Sequence, residues 1–137
     1  MNPEEFFYQG LGESVNDKIV KELENLGASV KKERNLIDGY VATFEFGEAV
    51  TTIGFKLNDQ QTGADLVIGT MTTLPEEQKR KGFGSRAVQI VLRWAKANDF
   101  KEIRAIQVQD RNGDFWNKNG FIKLPEPNPT ADYIYRE

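Results

Sequence analysis

The chain switches hydrophobic period twice. Val15, Ile19, Val20, Leu23 and Leu26 recur at helical spacing and are followed by Gly27. That stripe predicts a first helix, with Ser14 as N-cap, Asp17 three residues on, and Gly27 as its stop. Upstream, Phe6-Phe7-Tyr8 reads equally as a strand or a packing anchor. From Gly39 to Leu74 the chain becomes rich in strand formers. Tyr40 to Phe46 predicts one strand, Gly47-Glu48 a tight connection, and Val50 to Leu57 a second strand. The polar turn Asn58 to Gly63 leads to a third strand, Ala64 to Thr73, closing an antiparallel meander.

The helical period returns with Ala87, Val88, Val91, Leu92, Trp94 and Ala95, and Asn98-Asp99 ends it. Lys101 to Val108 alternates, which predicts a strand parallel to the one before the helix. Asp110 or Asn112 can cap a short helix carrying Phe115, Trp116 and Lys118, with Gly120 as its stop. Phe121-Ile122-Lys123 begins a strand, Leu124 to Pro129 is a Pro-rich surface loop, and Asp132 to Tyr135 is a last short strand. The predicted order is helix, three antiparallel strands, helix, strand, helix, strand, strand. No repeat or linker interrupts it, so residues 1–137 are expected to form one domain large enough for its own core.

Composition narrows the chemistry. There is no cysteine and no histidine, which removes disulfides, thiolate and imidazole metal sites, and the commonest neutral-pH base. No metal site is expected. Acid–base work falls to carboxylates, tyrosines, lysines, water or the substrate. No apolar run approaches the roughly 20 residues of a membrane span. Met1-Asn2-Pro3-Glu4-Glu5 does not read as a signal peptide, so a soluble cytoplasmic protein is expected. The net charge is −3, yet residues 79–96 carry six basic and no acidic side chains. That one positive stretch in an acidic chain suits a small anionic ligand better than nucleic acid.

The stretch opens with Lys79-Arg80-Lys81-Gly82-Phe83-Gly84-Ser85, between the third strand and the second helix. A strand, glycine loop and helix start together present backbone N–H groups and the positive end of a helix dipole to phosphate. Gly82 to Ala87 satisfies G-x-G-x-x-A, but a dinucleotide fold would place it after the first strand of a parallel unit, not after an antiparallel meander. The G-x-x-x-x-G-K-[ST] loop of nucleotide hydrolases is absent.

The arrangement resembles the GNAT N-acetyltransferase superfamily, whose loop reads [Q/R]-x-x-G-x-[G/A]. Lys79-Arg80-Lys81-Gly82-Phe83-Gly84 matches both glycines, with Lys79 in the first position and Gln78 one residue upstream. Many members also carry N-x-x-A-x-x-[FL]-Y-x-K-x-G-F. Phe115-Trp116-Asn117-Lys118-Asn119-Gly120-Phe121 matches its second half, while Gln109 and Asn112 stand at the Asn and Ala positions.

The resemblance implies an α+β fold: an antiparallel meander followed by a βαβ unit in one mixed sheet, with helices on both faces. It implies an enzyme that transfers acetyl from acetyl-CoA to a primary amine of a small molecule or peptide by direct attack. No nucleic acid or membrane partner is implied, and a homodimer is compatible. The competing expectation is a GNAT-fold protein that binds coenzyme A without turnover. Met71, Thr72 and Thr73 would pair with the pantetheine arm. Lys79, Arg80, Lys81, Gly82, Phe83, Gly84 and Ser85 would hold the pyrophosphate, both glycines making room for it, and Asn112, Phe115 and Trp116 would flank the cofactor. Trp116 stands where the family often has an acidic Tyr, so Tyr133, Tyr135 or water would protonate the thiolate. Where some relatives keep a Glu on the third strand, this chain has only Asp65 at its start, leaving Glu45 as the candidate base.

Overall fold

The computed structural model describes residues 15–34, 36, 38–125 and 130–136. The expectations for Phe6-Phe7-Tyr8, for Ser14 and for most of the Pro-rich loop lie outside them. Helix α1 spans Val15–Asn25, and Gly27 follows at φ 108°, the left-handed turn that ends a helix. Strand β1, Ala28–Lys32, was not expected. It is a short edge strand with only Ala28 buried, so its alternation is faint in the sequence. It pairs antiparallel with β2, Gly39–Phe46, from Ala28↔Phe44 to Lys32↔Tyr40.

The meander continues through β3, Ala49–Leu57, and β4, Leu66–Leu74. Strand β4 starts two residues later than its apolar run. Asp65 instead joins strand starts: its carboxylate accepts the N–H groups of Lys101 and Glu102 at 2.7 and 3.1 Å. A 3-10 turn, Glu76–Gln78, precedes α2, Phe83–Ala97. Then come β5, Glu102–Gln109, a second 3-10 turn, Asp110–Asn112, α3, Gly113–Lys118, β6, Ile122–Lys123, and β7, Thr130–Arg136. The sheet order is β1-β2-β3-β4-β5-β7-β6, with β4 and β5 the parallel pair in a sheet otherwise antiparallel. This is the mixed α+β sheet that the resemblance implied, but helices on both faces are not found among the described residues, because α1, α2 and α3 all bury their apolar stripes in one cluster.

Alternate residues of the central strands, among them Phe44, Ile53, Phe55, Ile68, Ile103 and Tyr133, share one apolar cluster with α1, α2 and α3. Trp94 of α2 sits at its centre, edge-on to Phe55 and Phe100, and its Nε1–H donates to the Ile19 carbonyl at 2.8 Å, fastening α2 to α1. The other side of the meander presents Val41, Thr43, Thr52 and Lys56 half-buried, and no helix among the described residues packs on it. No described helix is long and apolar enough to cross a membrane.

Candidate functional site

Strands β4 and β5 pair over three positions only, Leu66↔Ile103, Val67↔Arg104 and Ile68↔Ala105. Both then bulge at the same level. On β4, Ile68 faces Phe55 and Thr70 faces Gly54, which leaves Gly69 as the extra residue. On β5, Ala105 faces Tyr133 and Val108 faces Ala131, so Ile106 and Gln107 stand against Asp132 alone. Gln107 is held at φ 54°. A bulge bends its strand and raises the local twist, and two of them side by side drive the strands apart. Beyond the parting, the β5-facing edge of β4 from Gly69 to Leu74 has no strand partner among the described residues. Main-chain N–H and C=O groups are exposed there for an extended ligand.

At the end of that edge lies the glycine loop. Gly82 is the N-cap of α2 at φ 89°, ψ 1°, a conformation that suits glycine, and no side chain caps the helix. The Gly82 carbonyl accepts the Arg86 N–H at 3.0 Å, so the N–H groups of Phe83, Gly84 and Ser85 lie in the first turn, where a helix has no partners to offer. Lys79, Arg80 and Lys81 surround them, all exposed, with Arg80 at φ 65° and Lys79 paired to Glu76 at 3.0 Å. The first turn is anchored on β2: the Phe83 ring stacks on Phe46, centroids 5.8 Å apart, and the Arg86 guanidinium lies 4.5 Å over the Phe46 ring.

The two glycines act differently. A Cβ on Gly82 would meet nothing, so its requirement is conformational. A Cβ on Gly84 would lie 3.3 Å from Met71 Cε and 3.3 Å from Phe115 Cε2. The expectation that Gly84 makes room for phosphate is therefore revised, since its missing side chain would point at Met71 and Phe115. Gly84 lets α2 settle against β4 and α3, and in doing so brings Met71, Ser85 and Phe115 to one place.

A polar lock reinforces that junction. Asn119, at the end of α3 and buried, donates to Ser85 Oγ at 3.0 Å and to the Phe115 carbonyl at 2.8 Å, while its Oδ1 accepts from Gln89 Nε2 at 3.0 Å. Neither Asn119 nor Gln89 was singled out from the sequence, because an Asn before a helix-ending Gly reads as a cap. Trp116 is buried, edge-on to Phe115 and Phe121, a core aromatic rather than a lining of the opening. Asn112 is exposed at the N-cap of α3, without a capping side-chain bond. Tyr133 is buried on the helix side, its hydroxyl against Gly113. Tyr135, half-buried, packs on Phe121. The structure does not bring Glu45 to the parting. It is exposed opposite Val50, which in turn faces Leu74 at the far end of β4, two strand spacings, or about 10 Å, away.

The helix-free side carries a groove of about 480 Å³ that runs from Glu33 and Leu36 over Val41, Gly54 and Val67 to Gly69, Thr70, Gln107 and Asp132. It therefore reaches the level where the two bulges part the strands. Two glycines, Gly54 and Gly69, contribute to its floor, and Thr70 lies where a Gly54 side chain would be. Hydrogen bonds from the Thr62 hydroxyl and N–H, with help from Lys56, outweigh burial and hold the Asp59 carboxyl at about 2. The Tyr40 phenol is pushed up to about 12 by burial, with Asp17 and Asp38 adding to it. Asp132 accepts the Gln107 N–H at 3.1 Å and faces the Arg104 guanidinium at 3.5 Å.

Known proteins give the same architecture. The chain resembles a Bacillus subtilis acetyltransferase solved in complex with CoA, with a TM-score of 0.59 at 16% identity over 92% of this chain and 95% of that one. Tetrahymena GCN5 matches with a TM-score of 0.57 at 8% identity, over 76% and 69%. PH1933 from Pyrococcus horikoshii matches at 0.55 and 17%, over 73% of this chain and 65% of its own length. These likenesses establish the fold. No curated protein matches the chain. The model of the acetyltransferase (GNAT) family matches residues 4–121, most of the sequence, and the chain belongs to that family.

Proposed function

We propose that this protein transfers the acetyl group of acetyl-CoA to a primary amine by direct attack of the amine on the thioester. The observation that carries the reading is the parting of β4 from β5 beside an uncapped, lysine- and arginine-flanked helix start. The residues fit the cofactor. The N–H groups of Phe83, Gly84 and Ser85 meet the pyrophosphate at the positive end of α2, worth about 0.3–1 kcal/mol per anion from the dipole alone. Arg80 and Lys81 supply countercharge, and Met71, Thr72 and Thr73 offer main-chain groups to the amides of the pantetheine arm. The CoA carried by the Bacillus subtilis relative supports the same assignment.

Acetyl-CoA, when bound, supplies a thioester carbonyl. The chain has no cysteine to hold the acetyl group on the way, so the amine attacks directly. We assign the proton for the departing thiolate to Tyr133, whose hydroxyl lies on the helix side at the start of α3. The acceptor, a small-molecule or peptide amine, enters from the other side along the groove, whose carboxylates Glu33, Asp59 and Asp132 outnumber Lys56 and favour a cation.

The buried Trp116 favours a second reading, a coenzyme A binder without turnover, because indole supplies no acid where the family often has a Tyr. Calorimetry with acetyl-CoA followed by thiol release over an amine panel separates the two. Saturable binding with turnover on at least one amine is expected. Binding without thiol release on any amine favours the second reading, and no binding refutes both.

A further inference from the structure

We propose that Asp132 is the catalytic carboxylate on the amine side, receiving the acceptor's ammonium at the end of the open groove and taking up its proton. The inference rests on the transferase reading above. Its basis is where β7 places two consecutive residues. Side chains alternate across a strand, so Asp132 and Tyr133 point to opposite sides of the sheet. Tyr133 belongs to the helix-side cluster, and Asp132 lines the groove on the other side. The two flank the level at which β4 and β5 separate, because Asp132 is the residue opposite the Ile106–Gln107 bulge. Strand β7 lies one spacing, about 4.8 Å, from β5, so the carboxylate stands one strand from the gap, on the groove by which the amine would approach.

The carboxylate is also fixed in place. One oxygen accepts the Gln107 N–H at 3.1 Å and the other faces Arg104 at 3.5 Å. Each oxygen has two lone pairs, so each keeps one for the acceptor. Glu45 is exposed near the far end of the meander, and Asp59 is committed to Thr62 and Lys56 within its own turn. The step balances. The alkylammonium gives one proton to Asp132, and the neutral nitrogen forms the C–N bond as the C–S bond breaks. The nitrogen then sheds a second proton, the thiolate takes up one, and one proton per turnover leaves to water.

Asp132→Asn tests this, because the amide oxygen still accepts the Gln107 N–H. Acetyl-CoA affinity by calorimetry is expected to stay within about threefold of wild type, which also reports an intact fold. For an alkylamine acceptor, kcat/KM is expected to fall about 10²–10⁴-fold. For hydroxylamine, already neutral at the assay pH, the loss is expected to be under about tenfold. Alkylamine binding to the CoA-saturated protein should weaken in parallel. Equal losses on both nucleophiles would reduce Asp132 to a prop for the bulge, and no loss on either would remove it from the reaction; each overturns the proposal while leaving the transferase reading standing. A wild-type protein that binds no acetyl-CoA, or turns over no amine, overturns that reading and this inference with it. If Asp132→Asn loses acetyl-CoA affinity, Asp132→Glu decides: the retained charge should restore at least a tenth of the alkylamine rate, and failure to do so at wild-type acetyl-CoA affinity refutes the assignment.

Discussion

Gly84 separates packing from phosphate contact by experiment. A Cβ there lies 3.3 Å from Met71 Cε, 3.3 Å from Phe115 Cε2 and 3.5 Å from Phe115 Cζ. For Gly84→Ala the flexible end of Met71 yields by a few tenths of an ångström. Exchanging glycine for alanine in a helix returns about 1 kcal/mol, so stability should stay within about 1 kcal/mol of wild type. Gly84→Val adds two carbons about 1.5 Å further out, into the same ring and thioether. Overpacking of that kind costs about 1–3 kcal/mol, which in a chain of this size lowers Tm by roughly 3–12 °C. The helix start is also levered off β4, and losing one hydrogen bond to a charged phosphate costs about 1.5–3 kcal/mol, or about 10–100-fold in affinity. Differential scanning calorimetry and titration with acetyl-CoA read the two effects separately. Gly84→Ala should keep both the Tm and most of the affinity, whereas Gly84→Val should lose both. If Gly84→Ala keeps its Tm and binds no acetyl-CoA, the Cβ faces the phosphates and the packing argument is wrong.

Two further outcomes follow from buried polar groups. Asn119→Ala breaks the link from α3 to Ser85 and Gln89 and should cost about 1–3 kcal/mol in denaturant unfolding; an unchanged midpoint would show that the junction is held by apolar packing alone. Asp59 has a folded-state value of about 2 against 3.8 ordinarily, so its contribution is fully present above about pH 4 and disappears as pH falls through about 2. Stability should drop by on the order of 2 kcal/mol over that window, and Asp59→Asn should remove the step from the acid-unfolding profile.

Period and punctuation carried most of the fold. The stripe from Ile19 to Leu23, the alternation of Tyr40 to Leu57 and the stripe from Ala87 to Ala95 each bury a face wide enough to impose one structure, and all three formed, whereas Leu26, expected in the first stripe, lies just past the helix and is exposed. Strand β1 escaped because an edge strand buries little and so leaves little pattern. The glycine loop was legible too, since a backbone that must turn left-handed needs glycine where Gly82 stands.

The site is another matter. Gly69 in mid-strand and the paired bulges were the available signals of a parting, but a bulge is defined by the strand opposite, which one segment of sequence does not show. The same holds for Gly84, whose function depends on Met71 and Phe115 arriving from two other elements. It holds as well for Asn119, whose partners sit 30 and 34 residues away, and for Asp132, which looks like any polar strand residue until β5 bulges beside it. Sequence by itself determined most of the elements, their order and the glycine loop, because those follow from local periodicity and backbone freedom. Tertiary structure alone decided which strands separate, which glycine serves packing, and which carboxylate stands opposite the β5 bulge, because each of those depends on the register between segments distant in the chain.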